Sequence, residues 1–266
     1  MTTLHALKAT LKARFDAESA NAEASRPKRR YEVLAEELRA LITGGALKVG
    51  EPLPAERDLV DLTGLGRGSV REAIRILEIE GLLAPKKPGR NGMSVVQNAS
   101  DQTVQRQLEL FIGGDRVSNE QLLEARLIIE PALAKLAAAN RSDDDIARLR
   151  DINAVIGQKG ISDVAELVQL NLDWHTTLFH ASGNDLMAAI ATGLTKTQHT
   201  PTVLHDHGEE IHIEKTLQQH DAILAAVVDG NGDLASDKMR CHLEAYRDSL
   251  AQLNPPEFEL APLSLR

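Results

Sequence analysis

Residues 53–96 constrain the fold of this chain more than any other stretch, because two short helical patterns there lead into a hairpin rich in glycine, proline and lysine. The second pattern has an apolar face at the helical spacing i, i+3, i+4 and i+7, formed by Val70, Ala73, Ile74 and Leu77. Arg67, Arg71 and Arg75 recur every four residues on another face. Such a cationic stripe suits the major groove of DNA, where arginines bind phosphates and guanine edges. Taken alone, the stripe is also compatible with a solvated charged face.

The elements around this helix predict a small DNA-binding domain. Glycine and proline punctuation sets three helices, from Tyr31 to the stop at Gly44-Gly45, from after Pro54 to near Gly64, and from about Gly68 to Glu80. Two short β-type runs follow at residues 82–84 and 94–96, and residues 85–92 between them have the composition of a hairpin tip. Three helices and a β-wing make a winged helix-turn-helix. In that context DNA binding becomes the favoured interpretation of the arginine stripe.

The charge of the chain is divided unequally between its two halves. The net charge of −9 over 266 residues looks unfavourable for a protein that binds nucleic acid. Residues 26–96, however, hold 13 Lys and Arg against 10 Asp and Glu, a balance of +3. Residues 97–266 hold 14 against 26, a balance of −12. This asymmetry supports a mildly basic module carried by an acidic one.

Length and cysteine usage indicate an intracellular chain with more than one domain. A chain of 266 residues is long enough for two domains, each with a core of its own. The single cysteine, Cys241, excludes an internal disulfide framework and fits a reducing compartment. There is no signal-peptide pattern and no apolar run of bilayer-spanning length. We therefore expect a cytoplasmic protein without membrane contact.

The second half of the chain is predicted to be an all-α bundle of about seven helices, which makes the fold class mostly α. The helical segments are residues 101–112, 119–140, 143–156, 163–181, 184–198, 212–229 and 233–253. No β-type alternation appears between them. The expected organisation is a helical extension at residues 1–25, the winged helix-turn-helix at 26–97, the helical bundle at 98–254 and a tail at 255–266.

Three of the nine histidines are placed to converge inside this bundle. His220 and His242 lie on the last two helices, each 11 residues from Asn231 in a tight Gly-Asn-Gly turn. Residues equidistant from the turn of an antiparallel hairpin lie at the same level, so both imidazoles can face one point. Asn171 and His175 stand four residues apart and share one helix face. Three histidines and one oxygen ligand suit zinc, nickel or another divalent ion, with satisfied core or surface histidines as the alternative.

Three motifs in the first half resemble a known family. They are Leu53-Pro54-Ala55-Glu56-Arg57, then Arg67 with Val70-Arg71-Glu72-Ala73-Ile74-Arg75-Ile76-Leu77-Glu78, then Glu80-Gly81-Leu82-Leu83. Together they resemble the DNA-binding domain of GntR-family bacterial regulators over residues 27–96. The resemblance implies DNA contacts from the helix-turn-helix and, near the minor groove, from the wing: Arg57, Arg67, Ser69, Arg71, Gly89 and Arg90.

Two positions depart from the family pattern at the start of the arginine-bearing helix. The family has Ser or Thr where this chain has Gly66, and a second polar residue where it has Gly68. Glycine is a tolerable helix cap, costing about a few tenths of a kcal/mol. It nevertheless removes a hydroxyl that could bind phosphate. We expect DNA binding to be retained, with a changed affinity or operator preference.

A second set of motifs resembles the FCD effector domain of the FadR-type branch of this family. These are Glu124-Ala125-Arg126 with Ile129-Glu130, Trp174-His175 before Ser182-Gly183-Asn184, and His220 with Met239-Arg240-Cys241-His242-Leu243. The resemblance implies a divalent metal held by one Asp and three His inside the bundle. In this chain the implied ligands are Asn171, His175, His220 and His242. A neutral amide at the aspartate position is a weaker ligand for a dication than a carboxylate is.

Arg126 lies, by the same resemblance, in the helix that lines the effector cavity. It could clamp a ligand carboxylate with both of its N–H forks. An ion pair with Glu130, four residues further along the helix, is the competing explanation. Four other histidines cluster near a loop, and we expect them to be solvated: His199, His205, His207 and His212.

The combined prediction is a transcription regulator, and a repressor by analogy with most of the family. A homodimer would bind a palindromic operator in double-stranded DNA. A small carboxylate, such as a sugar acid or hydroxy acid, would bind at the metal site and weaken DNA binding. The protein is not expected to be an enzyme. Two alternatives stay open: a metal-dependent, hydrolase-like helical protein, and a ligand-binding or structural-metal module without DNA activity.

Overall fold

The structure is a computed structural model that describes residues 29–84, 93–113, 116–158, 164–198 and 209–253, together with residues 9, 12 and 13. The chain divides into two compact units, Met1–Thr103 and Val104–Arg266. Across the described residues the fold is mostly α, with ten helices and a single two-stranded sheet besides the few helical residues near the N-terminus. The domain limits expected from the sequence, including the boundary between residues 97 and 98, remain a proposal.

The first unit is a three-helix core with a short β-hairpin. Its helices are α1 (Arg30–Thr43), α2 (Glu56–Thr63) and α3 (Arg67–Ile79). Strand β1 (Leu83–Ala84) pairs antiparallel with β2 (Val95–Val96), so that Leu83 lies opposite Val96. The hairpin tip predicted at residues 85–92 lies outside the described residues, as does most of the predicted extension at residues 1–25.

Helices α2 and α3 form the helix-turn-helix because the chain between them is short and sharply bent. Gly64 ends α2 in the left-handed region, at φ 64°, a conformation that glycine adopts without steric cost. Leu65 is buried in the turn, which anchors it to the core. Gly66 then has extended backbone and starts α3. The turn thus fixes where the first residues of α3 emerge at the surface.

The core of the first unit is made of the apolar faces of all three helices and the strands. Its fully buried members include Leu34 and Leu38 from α1, Leu59 from α2 and Leu77 from α3. At about 1.5–3 kcal/mol for each buried side chain of this size, burial of this cluster supplies the main favourable contribution to folding. A double hydrogen bond at 2.6 and 2.9 Å between Arg39 and Glu80 ties α1 to the end of α3.

The second unit contains seven helices in the described residues. These are α4 (Asp101–Ile112, whose first residues belong to the first unit), α5 (Asn119–Asn140), α6 (Asp143–Ile156), α7 (Val164–Ala181), α8 (Asp185–Gln198), α9 (Glu209–Val228) and α10 (Gly232–Leu253). Helix α5 lies at the centre and packs against α7, α8, α9 and α10. Its central position explains why it carries buried residues on several sides, among them charged ones.

Polar side chains close the ends of these helices. Ser118 and Ser142 start α5 and α6 with capping boxes, in which the serine oxygen accepts the backbone N–H of the third helical residue. Arg141 donates to the carbonyl oxygens of Ala138 and Val228, at 2.6 and 2.9 Å. A basic side chain at two helix C-termini satisfies carbonyls that no backbone N–H can reach. The described helices include none that combines the length and the hydropathy needed to span a bilayer.

Helices α9 and α10 form the antiparallel hairpin that the sequence predicts. Gly230, at φ 71°, makes the turn, and the side chain of Asn231 accepts the backbone N–H of Leu234 at 3.1 Å to start α10. Elsewhere in the second unit, α4 passes close to α8. A Cβ on Gly193 would lie 3.2 Å from the Cα of Gln105, so only glycine allows this approach without a shift.

Candidate functional site

The arginine stripe of α3 lies on the solvent-exposed side of the first unit. Arg67, Arg71 and Arg75 are all exposed, whereas Val70 and Ala73 between them are fully buried. The apolar face therefore fixes α3 on the core and presents the three guanidinium groups outward. Exposed arginines on a helix held in this way can reach a polyanion without any change in the fold.

The other residues that we expect to contact DNA differ in how far they are exposed to solvent. Arg57 is exposed in the first turn of α2, and Ser69 is partly buried in the first turn of α3. Arg71 pairs with Glu56 of α2 at 2.9 Å, although the Arg71 side chain remains 71% exposed. A pair as exposed as this one is weak and can open when a phosphate approaches.

The start of α3 has open space in front of it. Gly66 is the N-cap of α3 and offers no side-chain cap, and a Cβ placed on Gly66 or Gly68 would meet no atom within 4 Å. The orphan backbone N–H groups of this helix start are therefore accessible to an anion. The two wing residues predicted to approach the minor groove, Gly89 and Arg90, lie outside the described residues.

Three buried histidines meet inside the second unit. His175 comes from α7, His220 from α9 and His242 from α10, and all three are buried. One ring nitrogen from each lies within 4.8 Å of the others, and among the described residues this is the group of His, Cys, Asp and Glu that could hold a metal ion. The rings of His220 and His242 lie 5.2 Å apart, as their equal distance from Asn231 predicts.

The Nδ1 atom of each imidazole faces a side-chain oxygen. Nδ1 of His175 lies 3.3 Å from Oε2 of Glu130, and Nδ1 of His242 lies 2.8 Å from Oε1 of Gln219. A carboxylate can only accept a hydrogen bond, so a hydrogen bond between these two groups requires the proton to be on Nδ1 of His175. Proton donation from Nδ1 leaves Nε2 with the lone pair that a metal needs.

His220 is oriented by a relay of two residues. Its Nδ1 lies 3.3 Å from Oδ1 of Asn153, and Nδ2 of Asn153 donates to Oδ1 of Asp221 at 2.8 Å. Because Asp221 can only accept, the amide of Asn153 must present its oxygen to His220. The relay therefore selects the same tautomer for His220 as the other two contacts select for their histidines.

The separation of two of these nitrogens fits a bound cation. Nε2 of His175 and Nε2 of His242 are 3.2 Å apart. When both rings carry their proton on Nδ1, two lone pairs face each other at this distance, which is repulsive unless a proton or a metal ion lies between them. A tetrahedral ion with Zn–N bonds of about 2.0–2.1 Å separates two ligand nitrogens by roughly 3.3 Å. The donor set therefore fits zinc or another divalent ion that accepts imidazole nitrogen.

Behind His175 lies a buried ion pair. Arg126 donates to Oε1 of Glu130 at 2.5 Å, Thr195 donates to the same oxygen at 3.0 Å, and the side chains of Arg126 and Glu130 are only 2% and 0% exposed. Burial by itself raises the pKa of the Glu130 carboxyl, but the charge of Arg126 and the contact with His175 outweigh it and hold that pKa well below its usual range. Glu130 is thus a carboxylate shared by an arginine and a metal-ligand candidate.

Trp174 completes the surroundings of the histidines. Its ring stacks on that of His220, with centroids 3.7 Å apart and planes 6° from parallel. Its Nε1 is fully buried and makes no hydrogen bond to any part of the chain that the structure describes. Burying a donor in this state costs about 1–3 kcal/mol, and an acceptor atom that reached Nε1 would offset this cost.

The residues predicted for this site are brought together to different extents. The three histidines meet, and Asn171 lies one turn before His175 on α7 with its Oδ1 buried. Arg126 forms the ion pair with Glu130 that was the competing explanation of its position. Sequence reasoning missed Asn153, Gln219 and Thr195, because no spacing rule distinguishes such residues. Neither the loop histidines His199, His205 and His207 nor the side chain of His212 is among the described parts of the structure.

Comparison with known proteins matches each of the two units to a known domain family. Residues 30–90 match the family described as bacterial regulatory proteins, gntR family, and residues 121–245 match the FCD domain. The Exu regulon transcriptional regulator of Escherichia coli (strain K12) is 31% identical over 243 residues, which cover 89% of this chain and 90% of that protein. The HTH-type transcriptional repressor NanR of Klebsiella aerogenes is 29% identical over 230 residues, covering 82% and 84%.

The fold is also similar to that of a solved structure. Streptococcus agalactiae GntR matches with a TM-score of 0.58 at 24% identity, over 82% of this chain and 99% of that one. A GntR-type winged helix-turn-helix followed by an FCD effector domain defines a DNA-binding transcription regulator, and the relatives are regulators rather than enzymes. The chain belongs to the GntR family, in the FadR-type branch that carries an FCD domain. The hydrolase-like alternative is therefore wrong.

Proposed function

We propose that this protein is a metal-dependent, carboxylate-responsive repressor that binds a palindromic operator as a homodimer. One observation supports the effector side most directly: three buried imidazoles meet, and each has its Nδ1 on a side-chain oxygen. Burying three histidines with oriented tautomers serves no evident packing purpose. A site that holds a divalent ion, and through it a ligand, accounts for the arrangement.

On the DNA side, we assign the contacts to the exposed end of the helix-turn-helix. Arg67 and Arg71 on α3 and Arg57 on α2 are exposed and cationic, and Ser69 offers a hydroxyl in the first turn of α3. In the major groove, arginines of such a helix bind phosphates or fork onto guanine. Gly89 and Arg90 are assigned to the wing, near the minor groove, from their positions in the sequence.

On the effector side, His175, His220 and His242 would hold the metal, with Asn171 as the fourth candidate ligand. Zinc is the first choice, and nickel or another divalent ion suits the same nitrogen donors. When bound, such an ion supplies a Lewis acid to which a carboxylate can coordinate. The chain's own residues orient the imidazoles and keep bulk water away from them, because all three are buried.

The proposed effector is a small carboxylate, such as a sugar acid or hydroxy acid. Arg126 is the proposed second contact for it, because a guanidinium can bind a carboxylate with two hydrogen bonds. Arg126 already pairs with Glu130, so an effector would share the guanidinium with Glu130 or take its place. Either change alters the contact between Glu130 and His175 and so links ligand binding to the packing of α5 and α7.

The dimer and the repressor role have separate support. A palindromic operator is matched by a two-fold symmetric dimer with one α3 in each half-site. The second unit carries large exposed apolar side chains that a second copy could cover, among them Leu110, Phe111 and Ile128. A relative is called a transcriptional repressor, which supports repression here as well. A protein that binds chromosomal DNA in a bacterium acts in the cytoplasm.

The test is binding to the DNA upstream of the protein's own gene, measured by gel shift or fluorescence anisotropy at moderate salt. We expect a specific complex that a suitable carboxylate weakens in the presence of zinc. The double variant Arg67→Ala, Arg71→Ala should lose the complex while its folding and metal content stay unchanged. No shift of that DNA by the wild-type protein would contradict the proposal. Equal binding by the double variant would remove α3 from the interface.

A further inference from the structure

The metal-ligand candidates of the second unit form an uncharged set. Within the described residues, the group that could hold an ion consists of three imidazoles and contains no carboxylate. The fourth candidate, Asn171, is a neutral amide with a buried Oδ1. Nothing in this donor set offsets the two positive charges of a divalent ion.

The nearest buried carboxylate is already neutralised. Glu130 lies 3.3 Å from Nδ1 of His175, but Arg126 binds its other oxygen at 2.5 Å. The two groups together contribute no net charge beside the site. A dication held by neutral imidazoles beside a neutralised ion pair is less stable than one with an anionic ligand, because the low-dielectric interior replaces its hydration shell only in part.

A buried hydrogen-bond donor lies against the same site. The indole N–H of Trp174 can donate but not accept, and within the described residues it has no hydrogen-bond partner. The Trp174 ring stacks directly on His220, so its position is tied to that of a ligand candidate. An acceptor atom that enters the site would satisfy this donor, and an anionic acceptor would do so most strongly.

We propose that the three-histidine site binds its metal together with a small carboxylate anion, and that each raises the affinity for the other. The donor set lacks a negative charge because residue 171 is asparagine; an aspartate at this position would make metal binding independent of an added anion. The metal therefore acts as a co-effector whose occupancy follows the carboxylate concentration. By linkage, the carboxylate affinity must rise with metal by the same factor. This inference rests on the metal site of the proposed function.

The experiment measures metal affinity with and without a carboxylate on the full-length protein. Co²⁺ is the probe metal, and acetate is the probe anion because it binds free metal weakly and is small enough for a buried site. Acetamide, which is neutral, and perchlorate, which coordinates metals very weakly, are the controls at matched concentration and ionic strength. The chain has one tryptophan, and it stacks on His220, so quenching of Trp174 fluorescence reports occupancy directly. Equilibrium dialysis with Zn²⁺ checks the result without a spectroscopic probe.

We expect acetate to lower the apparent Kd of the metal at least about tenfold, within the usual range of coupling between two ligands. Acetamide and perchlorate should leave the Kd unchanged. In Asn171→Asp, the metal should bind more tightly without any added anion, and the effect of acetate should fall towards none. Asn171→Gln is the matched control, because it stays neutral and should keep the dependence on acetate.

The outcomes separate this inference from the function on which it rests. Metal binding of equal affinity in acetate, acetamide and perchlorate would overturn the coupling and leave the metal site standing. An unchanged metal affinity in Asn171→Asp would overturn the role given to Asn171. Absence of metal binding under every condition would overturn both the coupling and the metal site. Failure of operator binding with the coupling intact would contradict the regulator alone.

Discussion

Helices α3 and α5 both carry arginines to which we assign a function, and the two helices keep them in opposite environments. On α3, Arg67, Arg71 and Arg75 are exposed, and Arg71 pairs with Glu56 at the surface. On α5, Arg126 is 2% exposed and paired with a fully buried Glu130. The same residue type is therefore accessible to a partner from outside in one unit and enclosed with a partner from its own chain in the other.

The difference follows from how each helix is packed. Helix α3 is amphipathic and buries a single face on the core of the first unit, so its arginines stay exposed to water. Helix α5 is surrounded by four helices, so a charge on it must have a partner within the bundle. Exposed charge suits reversible contact with a large polyanion, whereas buried charge suits a site that must hold a defined geometry.

The largest effect is expected from removing one member of the buried pair. Glu130→Gln leaves the guanidinium of Arg126 without a counter-charge in the interior, which should lower the free energy of unfolding of the second unit by about 3–5 kcal/mol. Trp174, the only tryptophan, lies in that unit and reports its unfolding in urea by fluorescence. The metal-free protein is used, so that metal affinity does not enter the measurement.

An exposed pair provides the control for this prediction. Lys135 and Asp233 pair at 2.5 Å with both side chains largely exposed, and Asp233→Asn should leave the unfolding midpoint nearly unchanged. Replacing both buried partners, as Arg126→Met with Glu130→Leu, should cost much less than Glu130→Gln alone, because no charge is left unpaired. A loss in Glu130→Gln no greater than in Asp233→Asn would show that burial does not distinguish the two pairs.

The next effect tests the exposed side of the comparison. Arg71→Ala should weaken operator binding by about 1–3 kcal/mol and flatten its salt dependence if the lost contact is to a phosphate. It should hardly change the unfolding of the first unit, because the Arg71 side chain is 71% exposed in its pair with Glu56. Arg148→Ala on α6, another exposed arginine, is the control and should leave DNA affinity unchanged. Equal losses in both variants would mean that general positive charge, not the α3 stripe, binds DNA.

A smaller effect is expected behind the metal ligands. Gln219→Ala removes the oxygen that faces Nδ1 of His242 at 2.8 Å, and this should raise the Kd of Zn²⁺ about tenfold, as loss of an outer-shell partner typically does. Gln218→Ala, one residue earlier and exposed, is the matched control. Because both variants replace a glutamine of α9 by alanine, a similar loss in Gln218→Ala would point to helix stability and not to orientation of His242.

The sequence predicted the helices and the convergence of the histidines because both depend on regular periods. Helix limits at glycine, serine and proline agree with the structure within a few residues, and equal spacing around Asn231 places His220 and His242 at one level. Helical geometry converts such spacing into position with little help from other parts of the chain. The winged helix-turn-helix could be predicted equally well, because the glycines and prolines in its turns mark where its helices and strands end.

The residues that orient the histidines could not be predicted in this way. Asn153 reaches His220 from α6, 67 positions away, and its role depends on how α6 and α9 are rotated about their axes. Thr195 and Glu130 meet across α8 and α5 for the same kind of reason. Rotation and tilt of packed helices are set by the fit of many side chains at once, and no local pattern records them.

The smallest prediction concerns how the two helices begin. Helix α5 starts at Ser118 with a complete capping box, whereas α3 starts at Gly66 with no side-chain cap. Gly66 has φ −64° and ψ 151°, which suits any residue at an N-cap, and a Cβ there would meet no atom within 4 Å. Gly66→Ser should therefore stabilise the first unit by about a few tenths of a kcal/mol.

The same serine brings a hydroxyl to the end of α3 that is proposed to face DNA. If the orphan N–H groups there bind a phosphate, Gly66→Ser should tighten operator binding by a similarly small factor, about twofold, for the few tenths of a kcal/mol that a cap supplies. Gly66→Ala is the matched control, because alanine adds the Cβ without a hydroxyl and is a poorer cap than glycine. It should shift thermal stability and operator affinity in the opposite direction. Equal shifts in the two variants would show that the added Cβ, and not the hydroxyl cap, is responsible. The start of α3 would then have no role in binding phosphate.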